Sequence, residues 1–230
     1  MSNESEDLRK WRLPRGRHGL PRELVTRSQR ERLLAAVVRA TAAKGYGATT
    51  VADILDEAGV GRETFYELFD DKRACALAAH SILFDSLEGT VRSAYMEPGE
   101  WPERVRNGLA ATLEWFAADP AAAKFMLVEL AAMGTEYRVR FQAEFDRFVA
   151  LLDEGLAGCC PDVSQATSLA VGATLARVYE QIVLGRTAEL PSLLPDLTYE
   201  MLVPFLGEEP AWAERTRAVA TGPGGPRADR

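Results

Sequence analysis

The sequence predicts an all-α protein, and three observations lead to that prediction. Apolar residues recur every three or four positions along most of the 230 residues, which is the spacing of one helix face. Glycines and prolines punctuate these stretches at intervals that suit helix ends. No stretch alternates strictly between apolar and polar residues, as a half-buried strand would. We therefore expect an N-terminal three-helix unit joined by a long helix to a larger helical domain.

Residues 1–25 are predicted to form a flexible basic arm. Pro14, Gly16, Gly19 and Pro21 prevent a continuous helix there. Residues 1–47 carry a charge balance of +6 and residues 81–230 a balance of −9, so a basic segment precedes an acidic body. The arm could enter the minor groove of DNA, or it could be a solubilising tail. Its cations are Arg9, Lys10, Arg12, Arg15, Arg17 and Arg22.

Residues 26–72 are predicted to form a helix-turn-helix unit. Two short helices that follow a longer one and are joined by a tight glycine turn have this arrangement. Thr50 is suited to cap the second helix, and Gly59 permits the turn. The three helices are expected at residues 26–44, at residues 51–58 and from Arg62 to about Phe69.

The larger helical domain is predicted to span residues 73–207. Asp70 or Asp71 is expected to cap its first helix, which is long. The Gly/Pro-rich end, residues 208–230, is predicted to be a disordered tail. Further helices are expected near residues 101–118, 120–133, 136–157, 164–186 and 197–207.

Composition and residue types argue against several classes of protein. A net charge of −7 is unsuited to a protein that covers nucleic acid with its whole surface. The N-terminus has no apolar signal core and no apolar run approaches about 18 residues, so a cytoplasmic protein is expected. The two histidines, His18 and His80, do not form the pattern of a catalytic or metal site, so neither an enzyme nor a cofactor is expected.

The three cysteines show no spacing typical of a zinc site or a disulfide framework. They are Cys75, Cys159 and Cys160, and a reducing compartment explains them most simply. The adjacent pair Cys159–Cys160 could act as a redox switch, or its adjacency could be incidental.

The string TTVADILDEAGVGRETFYELFDDK, residues 49–72, resembles the N-terminal DNA-binding domain of the TetR family of bacterial transcriptional regulators. The resemblance covers roughly residues 28–80, and the basic arm is similar to extensions of actinobacterial members. It implies a pocket for a small-molecule effector in the larger domain. One departure is Gly61, where the family often has a serine cap. The matching elements are KGY at 44–46, TTV at 49–51, AGV at 58–60, TFY at 64–66, Phe69 and Lys72.

The resemblance, together with local chemistry, indicates which residues contact DNA. Thr50 could present its hydroxyl to a phosphate, Tyr66 could donate its phenol, and Lys72 could act as a point charge. The expected set is Arg27, Lys44, Thr49, Thr50, Gly61, Arg62, Glu63, Thr64, Tyr66, Glu67 and Lys72.

The acidity of the reading helix needs its own explanation. At about 100° per residue, Glu63 and Glu67 point away from the core residue Phe65, so a helix docked in the major groove would bring both near base edges. A carboxylate can accept from cytosine N4, while Arg62 can donate to guanine. The alternative is that both glutamates pair with Arg62 or Arg73 and never touch a base.

The larger domain is rich in aromatic residues. Tyr137, Phe141, Phe145, Phe148 and Leu152 form one stripe at helical spacing, which is more often core than ligand site. Bulky aromatics with few charges suit an apolar or aromatic ligand. The residues expected to line the pocket are Trp115, Phe116, Met126, Met133, Tyr137, Phe141 and Tyr179.

The helix at residues 164–186 carries small residues that permit close approach of another helix: Ala170, Gly172, Ala173 and Ala176. By resemblance, this helix and the one at 197–207 pair across a two-fold axis in a homodimer; the alternative is packing within one chain. A two-fold dimer would bind an inverted-repeat operator. The expected function is a DNA-binding transcriptional repressor that a small apolar or aromatic ligand releases from double-stranded DNA. An architectural DNA-binding factor without an effector, or an enzyme, are the alternatives.

Overall fold

The computed structural model describes residues 21–156 and 164–221, and every regular element in that part of the chain is a helix. The all-α prediction is therefore confirmed. None of the described helices is both long enough and apolar enough to cross a membrane. The α-helices are α1 (Arg22–Lys44), α2 (Val51–Ala58), α3 (Arg62–Leu68), α4 (Lys72–Tyr95), α5 (Trp101–Ala118), α6 (Pro120–Leu127), α7 (Thr135–Leu156), α8 (Ser164–Val183), α9 (Leu194–Leu206) and α10 (Glu208–Thr221). Two 3-10 segments lie at Glu129–Met133 and Thr187–Leu193.

Helices α1 to α3 form the predicted helix-turn-helix unit around a small apolar core. The turn between α2 and α3 depends on Gly59, whose φ of 59° and ψ of 41° are left-handed and favour glycine. Arg32 on α1 donates to the Gly59 carbonyl at 2.7 Å and also to that of Ala58, so the turn is tied to the first helix. The buried core residues of this unit include Leu33, Val37, Ile54, Phe65 and Phe69.

Both predicted caps are present. The Thr50 hydroxyl oxygen accepts from the backbone N–H of Asp53 at 3.2 Å, and the Asp53 carboxylate accepts from the Thr50 N–H at 2.8 Å, which forms a capping box at the start of α2. Asp71 caps α4, because its Oδ1 accepts from the Ala74 N–H at 2.7 Å. Four carboxylates lie in or just after the reading helix: Glu63, Glu67, Asp70 and Asp71. Asp71 is therefore explained as a helix cap, and Asp70 is its neighbour in the chain.

Helix α4 connects the DNA-reading unit to the larger domain. Its 24 residues span about 36 Å at 1.5 Å per residue. Helix α4 packs on α1 at its start, where Cys75 lies against the Leu33 carbonyl, and on α5 further along. Its other buried side chains include Ala79, His80, Phe84, Leu87, Val91 and Tyr95.

Several predicted helix boundaries were wrong. The first helix begins at Arg22, four residues early, because Pro21 precedes the first turn, where its missing N–H is harmless. The helix expected at 120–133 divides at Val128 into α6 and a 3-10 turn. Helix α8 ends at Val183, and α9 begins at Leu194 instead of residue 197.

The largest correction concerns the predicted C-terminal tail, because Glu208–Thr221 is helix α10. Pro210 lies in its first turn, where no backbone N–H is needed for the helix. The helix packs mainly on α9, and it buries Ala211, Ala218 and the carboxylate of Glu214. Glu214 forms an ion pair with the buried guanidinium of Arg106 on α5. This tertiary pairing stabilises a segment whose own sequence is weakly apolar.

Three parts of the chain lie outside the described residues. They contain most of the predicted basic arm (residues 1–20), the pair Cys159–Cys160 within residues 157–163, and the end of the chain from residue 222. Cys75 is described and buried, and burial raises the pKa of its thiol to about 12, so it is not a reactive thiolate.

Candidate DNA-binding and ligand-binding sites

The reading helix α3 presents the face that the sequence predicted. Phe65 is fully buried against the core, whereas Tyr66 is 47% exposed and Glu63 and Glu67 are exposed. Gly61 occupies the N-cap position with extended backbone, and space around it is open, so no side chain there blocks close approach. Thr64 is half-buried on the same helix.

Neither glutamate of the reading helix forms an ion pair with any described residue. Arg62 instead lies over the Tyr66 ring, with Cζ 5.5 Å from the ring centroid. Arg73 is turned to the larger domain, where it pairs with Glu136. The two cations that could have neutralised Glu63 and Glu67 are therefore engaged elsewhere, and both carboxylates face solvent on the reading face.

Thr49, one of the residues predicted to contact DNA, has a buried side chain that bonds within the protein. It is only 2% exposed, and its hydroxyl lies 2.8 Å from the Gly45 carbonyl and 3.3 Å from that of Ala40. These contacts hold the chain where it leaves α1. A buried hydroxyl bonded in this way is not available to a phosphate.

Lys72 is half-buried, and its ammonium group is bonded to backbone carbonyls instead of standing free as a point charge. Its Nζ donates at 2.7 Å to the carbonyls of both Tyr46 and Thr49 and lies 4.2 Å from the Tyr46 ring centroid. Burial lowers the pKa of its ammonium group. At most one of its three N–H groups remains for DNA, so the residue mainly positions the loop before α2.

The other predicted phosphate contacts lie near the start of α2 and on α1. Lys44 pairs with Asp53, and this hydrogen bond, with those from Thr50, lowers the pKa of Asp53 to about 2. The Thr50 hydroxyl donates to Asp53 Oδ2 at 2.8 Å, so its proton is already used. Arg27 is exposed, with its Nε 3.9 Å from Glu31 Oε1.

The larger domain contains an apolar cavity of about 150 Å³. A single water needs roughly 10–15 Å³ on the same measure, so this is far larger than a packing defect. Helices α4, α5, α6, α7 and α8 line it, with Met201 from α9. Its apolar walls include Phe84, Leu87, Val91, Leu109, Phe116, Phe141, Phe145, Phe148, Leu152, Leu175 and Val178.

The cavity is elongated along α4. The α4 residues that line it run from His80 to Tyr95, whose backbone positions lie about 22 Å apart along the helix at 1.5 Å per residue. The α7 residues run from Phe141 to Leu152 and cover about 16 Å by the same measure. An apolar wall that extends over this length of two helices fits an extended chain better than a planar ring system.

Three of the seven predicted pocket residues line the cavity: Phe116, Met126 and Phe141. The other four do not line this cavity. Trp115 lies on the outer side of α5, with its Nε1 donating to Ser86 Oγ at 3.3 Å, and Tyr179 is 45% exposed. Met133 is half-buried in the 3-10 turn, and Tyr137 lies one layer behind the wall.

A buried polar network stands at the His80 end of the cavity. The Tyr137 hydroxyl donates to the Met126 carbonyl at 2.6 Å and lies 3.1 Å from His80 Nε2. Glu144 Oε2 lies 3.5 Å from the same nitrogen, and its other oxygen accepts from Arg140 at 3.1 Å. Burial, assisted by the Arg140 charge, lowers the pKa of His80 to about 4, so the imidazole is neutral near pH 7. Burial raises the pKa of Glu144.

The sequence contained a signal for the missed cavity residues. His80, Phe84, Leu87, Val91 and Tyr95 follow one another at spacings of 4, 3, 4 and 4, as the aromatic stripe of α7 does. Such stripes identify buried faces but do not separate a filled core from a cavity wall.

Helix α8 carries an exposed apolar face in this chain. Leu169 is 69% exposed, Tyr179 45% and Val183 55%, with the small residues Gly172 and Ala176 between them. Large apolar residues clustered on one face commonly mark a protein contact surface.

Comparison with known proteins connects the helix-turn-helix unit to a family. Residues 33–79 match the model of the bacterial regulatory proteins of the tetR family. The helix-turn-helix unit of this chain is therefore of the TetR type. It is 24% identical over 171 residues to an uncharacterized HTH-type transcriptional regulator in the lacX 3' region of Lactococcus lactis, a match that covers 71% of this chain and 86% of that protein.

Solved structures of TetR-like regulators share the fold. The fatty acid degradation regulator FadR from Bacillus halodurans superposes with a TM-score of 0.69 at 21% identity, covering 76% of this chain and 94% of that one. FadR from Bacillus subtilis in complex with stearoyl-CoA gives a TM-score of 0.67 at 18% identity, covering 77% and 98%. These similarities identify a helix-turn-helix transcriptional regulator of the TetR type.

Proposed function

We propose that this TetR-family regulator is a homodimeric repressor that a long-chain acyl ligand releases from an inverted-repeat operator. The observation that carries the proposal is the elongated apolar cavity along α4. An extended hydrocarbon chain lengthens by a little over 1 Å for each C–C bond of about 1.5 Å. The length of α4 that lines the cavity therefore suits a chain of more than a dozen carbons. The fold shared with a FadR structure that contains stearoyl-CoA supports the same ligand class.

The proposed DNA contacts are centred on α3. Arg62, Thr64, Tyr66 and the two glutamates face the major groove, while Arg27 and Lys44 approach phosphates. The exposed face of α8 supports a dimer in which this helix and α9 of two copies pack together, and such a dimer presents two copies of α3 to two half-sites.

The proposal is tested by measuring release from DNA. An operator is first obtained by binding-site selection on random DNA, and its affinity is then measured with and without palmitoyl-CoA and palmitic acid. We expect an acyl ligand to weaken operator binding. If the operator is bound tightly but neither ligand nor a wider set of lipids weakens binding, an architectural factor without an effector is the better description.

Glu63 and Glu67 are expected to act by exclusion. A carboxylate in the major groove needs a donor, and only cytosine N4 and adenine N6 supply one there. Replacing both residues by Gln should raise affinity for non-specific DNA and lose about 1–3 kcal/mol of discrimination at one or two base pairs per half-site. The measurement is binding-site selection with the wild type and the Glu63→Gln/Glu67→Gln variant side by side.

The control for this pair is Glu97→Gln/Glu114→Gln, which makes the same change in net charge at two exposed positions of the larger domain. It should leave the selected sequence unchanged. If the variant of the reading helix selects the same sequence as the wild type, the two carboxylates have no part in recognition.

A further inference from the structure

Beside the end of the cavity opposite His80 lie two buried hydrogen-bond donors, of which only Tyr95 belongs to the cavity wall. Tyr95 lines the cavity and is 1% exposed, and its hydroxyl has no hydrogen-bond partner among the described residues. The buried Nε1 of Trp101 has no well-formed hydrogen bond either, although it lies close enough to the Tyr95 hydroxyl to lower the pKa of that group. A buried polar group without a partner is destabilising, and most such groups in proteins are paired, so this pair requires an explanation.

The two donors lie side by side against Gly155. A Cβ at Gly155 would collide with the Tyr95 hydroxyl and with the Trp101 indole, so both groups converge where α7 has no side chain. The Trp101 ring is held from the other side by Phe205, with ring centroids 5.5 Å apart. The Tyr95 ring is held by Arg104, whose Cζ lies 4.4 Å from its centroid.

The two groups cannot satisfy each other completely. An indole N–H only donates, so even where it acts on the Tyr95 oxygen the hydroxyl proton still lacks an acceptor. The pair therefore has at least one donor in excess. Burial raises the pKa of Tyr95, so the hydroxyl keeps this proton near pH 7.

We propose that Tyr95 and Trp101 form the polar subsite of the cavity and bind an oxygen acceptor at the end of the ligand chain, such as an acyl carbonyl or a carboxylate. The proposal rests on the proposed function, because it assigns an orientation to the acyl ligand. The hydroxyl is covered by neighbouring side chains, so binding includes a small shift of these side chains.

The opposite end of the cavity supports this orientation. The buried Nδ1 of His80 has no partner among the described residues, and because His80 is neutral and its Nε2 faces oxygen atoms, Nδ1 is an acceptor. An acyl chain has no donor to offer it. The methyl end therefore lies towards His80 and Met126, and the oxygen end lies at Tyr95.

The test compares Tyr95→Phe with two other Tyr→Phe variants of the full chain. Tyr137→Phe removes a buried hydroxyl that is bonded to the Met126 carbonyl, and Tyr199→Phe changes a half-buried tyrosine outside the cavity wall. Affinities for palmitic acid and palmitoyl-CoA are measured by displacement of N-phenyl-1-naphthylamine, an apolar dye without an oxygen atom. Thermal melting of the unliganded proteins reports on structure.

We expect Tyr95→Phe to lower the affinity for palmitic acid or palmitoyl-CoA about tenfold relative to that for the dye, which is the effect of one lost hydrogen bond. Its melting temperature should equal or exceed that of the wild type, whereas Tyr137→Phe should melt lower. Tyr199→Phe should match the wild type in affinity. The ligand that loses affinity in Tyr95→Phe identifies the free acid or the thioester as the acceptor.

Two results would overturn the assignment in distinguishable ways. If both acyl ligands bind Tyr95→Phe and the wild type equally, or if Tyr95→Phe melts as low as Tyr137→Phe with unchanged affinity, the hydroxyl is structural and the proposed function stands. If neither dye nor acyl ligand binds the wild type, the proposed function itself fails, and the subsite with it.

Discussion

Replacing Glu214 by Ala is expected to lower the free energy of unfolding by about 3–5 kcal/mol, because the variant leaves a buried guanidinium without its partner. Arg106 is 8% exposed and Glu214 is 4% exposed, and the two form an ion pair between α5 and α10. In the variant, the ion pair that Arg106 keeps among the described residues is with Glu103, whose more exposed carboxylate Oε1 lies 3.4 Å from Arg106 Nη2. Chemical denaturation of the purified variant measures the loss.

Two controls sharpen this prediction. Replacing both partners by Leu should restore most of the stability, since an apolar pair of similar volume is often neutral relative to a buried ion pair. Arg215→Ala breaks a more exposed ion pair, between Arg215 on α10 and Asp196 on α9. It should change the free energy of unfolding by no more than about 1 kcal/mol. If Glu214→Ala costs no more than Arg215→Ala, the buried pair does not anchor α10.

Replacing Leu175 by Trp is expected to raise the acyl ligand concentration needed for half-maximal operator release at least about 100-fold, a change of about 3 kcal/mol in ligand binding. Leu175 lies on α8 in the cavity wall and is only half-buried, so a larger ring can extend into the ligand's space. Operator affinity without ligand should change little, because α8 belongs to the larger domain and not to the helix-turn-helix unit. Fluorescence anisotropy of labelled operator across a ligand titration provides the measurement.

The control at the same position is Leu175→Met, which roughly preserves volume and should respond to ligand as the wild type does. Thermal melting of Leu175→Trp shows whether the ring fills the cavity or strains the wall, since overpacking costs about 1–3 kcal/mol. If the Trp variant is stable and still responds at the wild-type ligand concentration, the ligand binds elsewhere.

The sequence by itself predicted the fold of the DNA-reading unit and most of its helix ends. Its helices are short, so their ends are marked by local chemistry: the Thr50 cap, the left-handed Gly59 and the Asp71 cap all act within a few residues of chain. Local rules also placed Phe65 inward and the two glutamates outward, because one helical turn determines which side chains share a face.

Interactions between distant residues had to come from tertiary structure. Thr49 and Lys72 carry groups that suit phosphate, yet each bonds to carbonyls of its own chain that lie between four and 26 positions away. Arg106 and Glu214 are 108 positions apart in the sequence, and their ion pair stabilises helix α10. Composition alone predicted a disordered tail for that segment. Whether an apolar stripe fills a core or lines a cavity depends on how several helices pack together. Helical periodicity shows that a face is buried, but it does not show how much space remains in front of it.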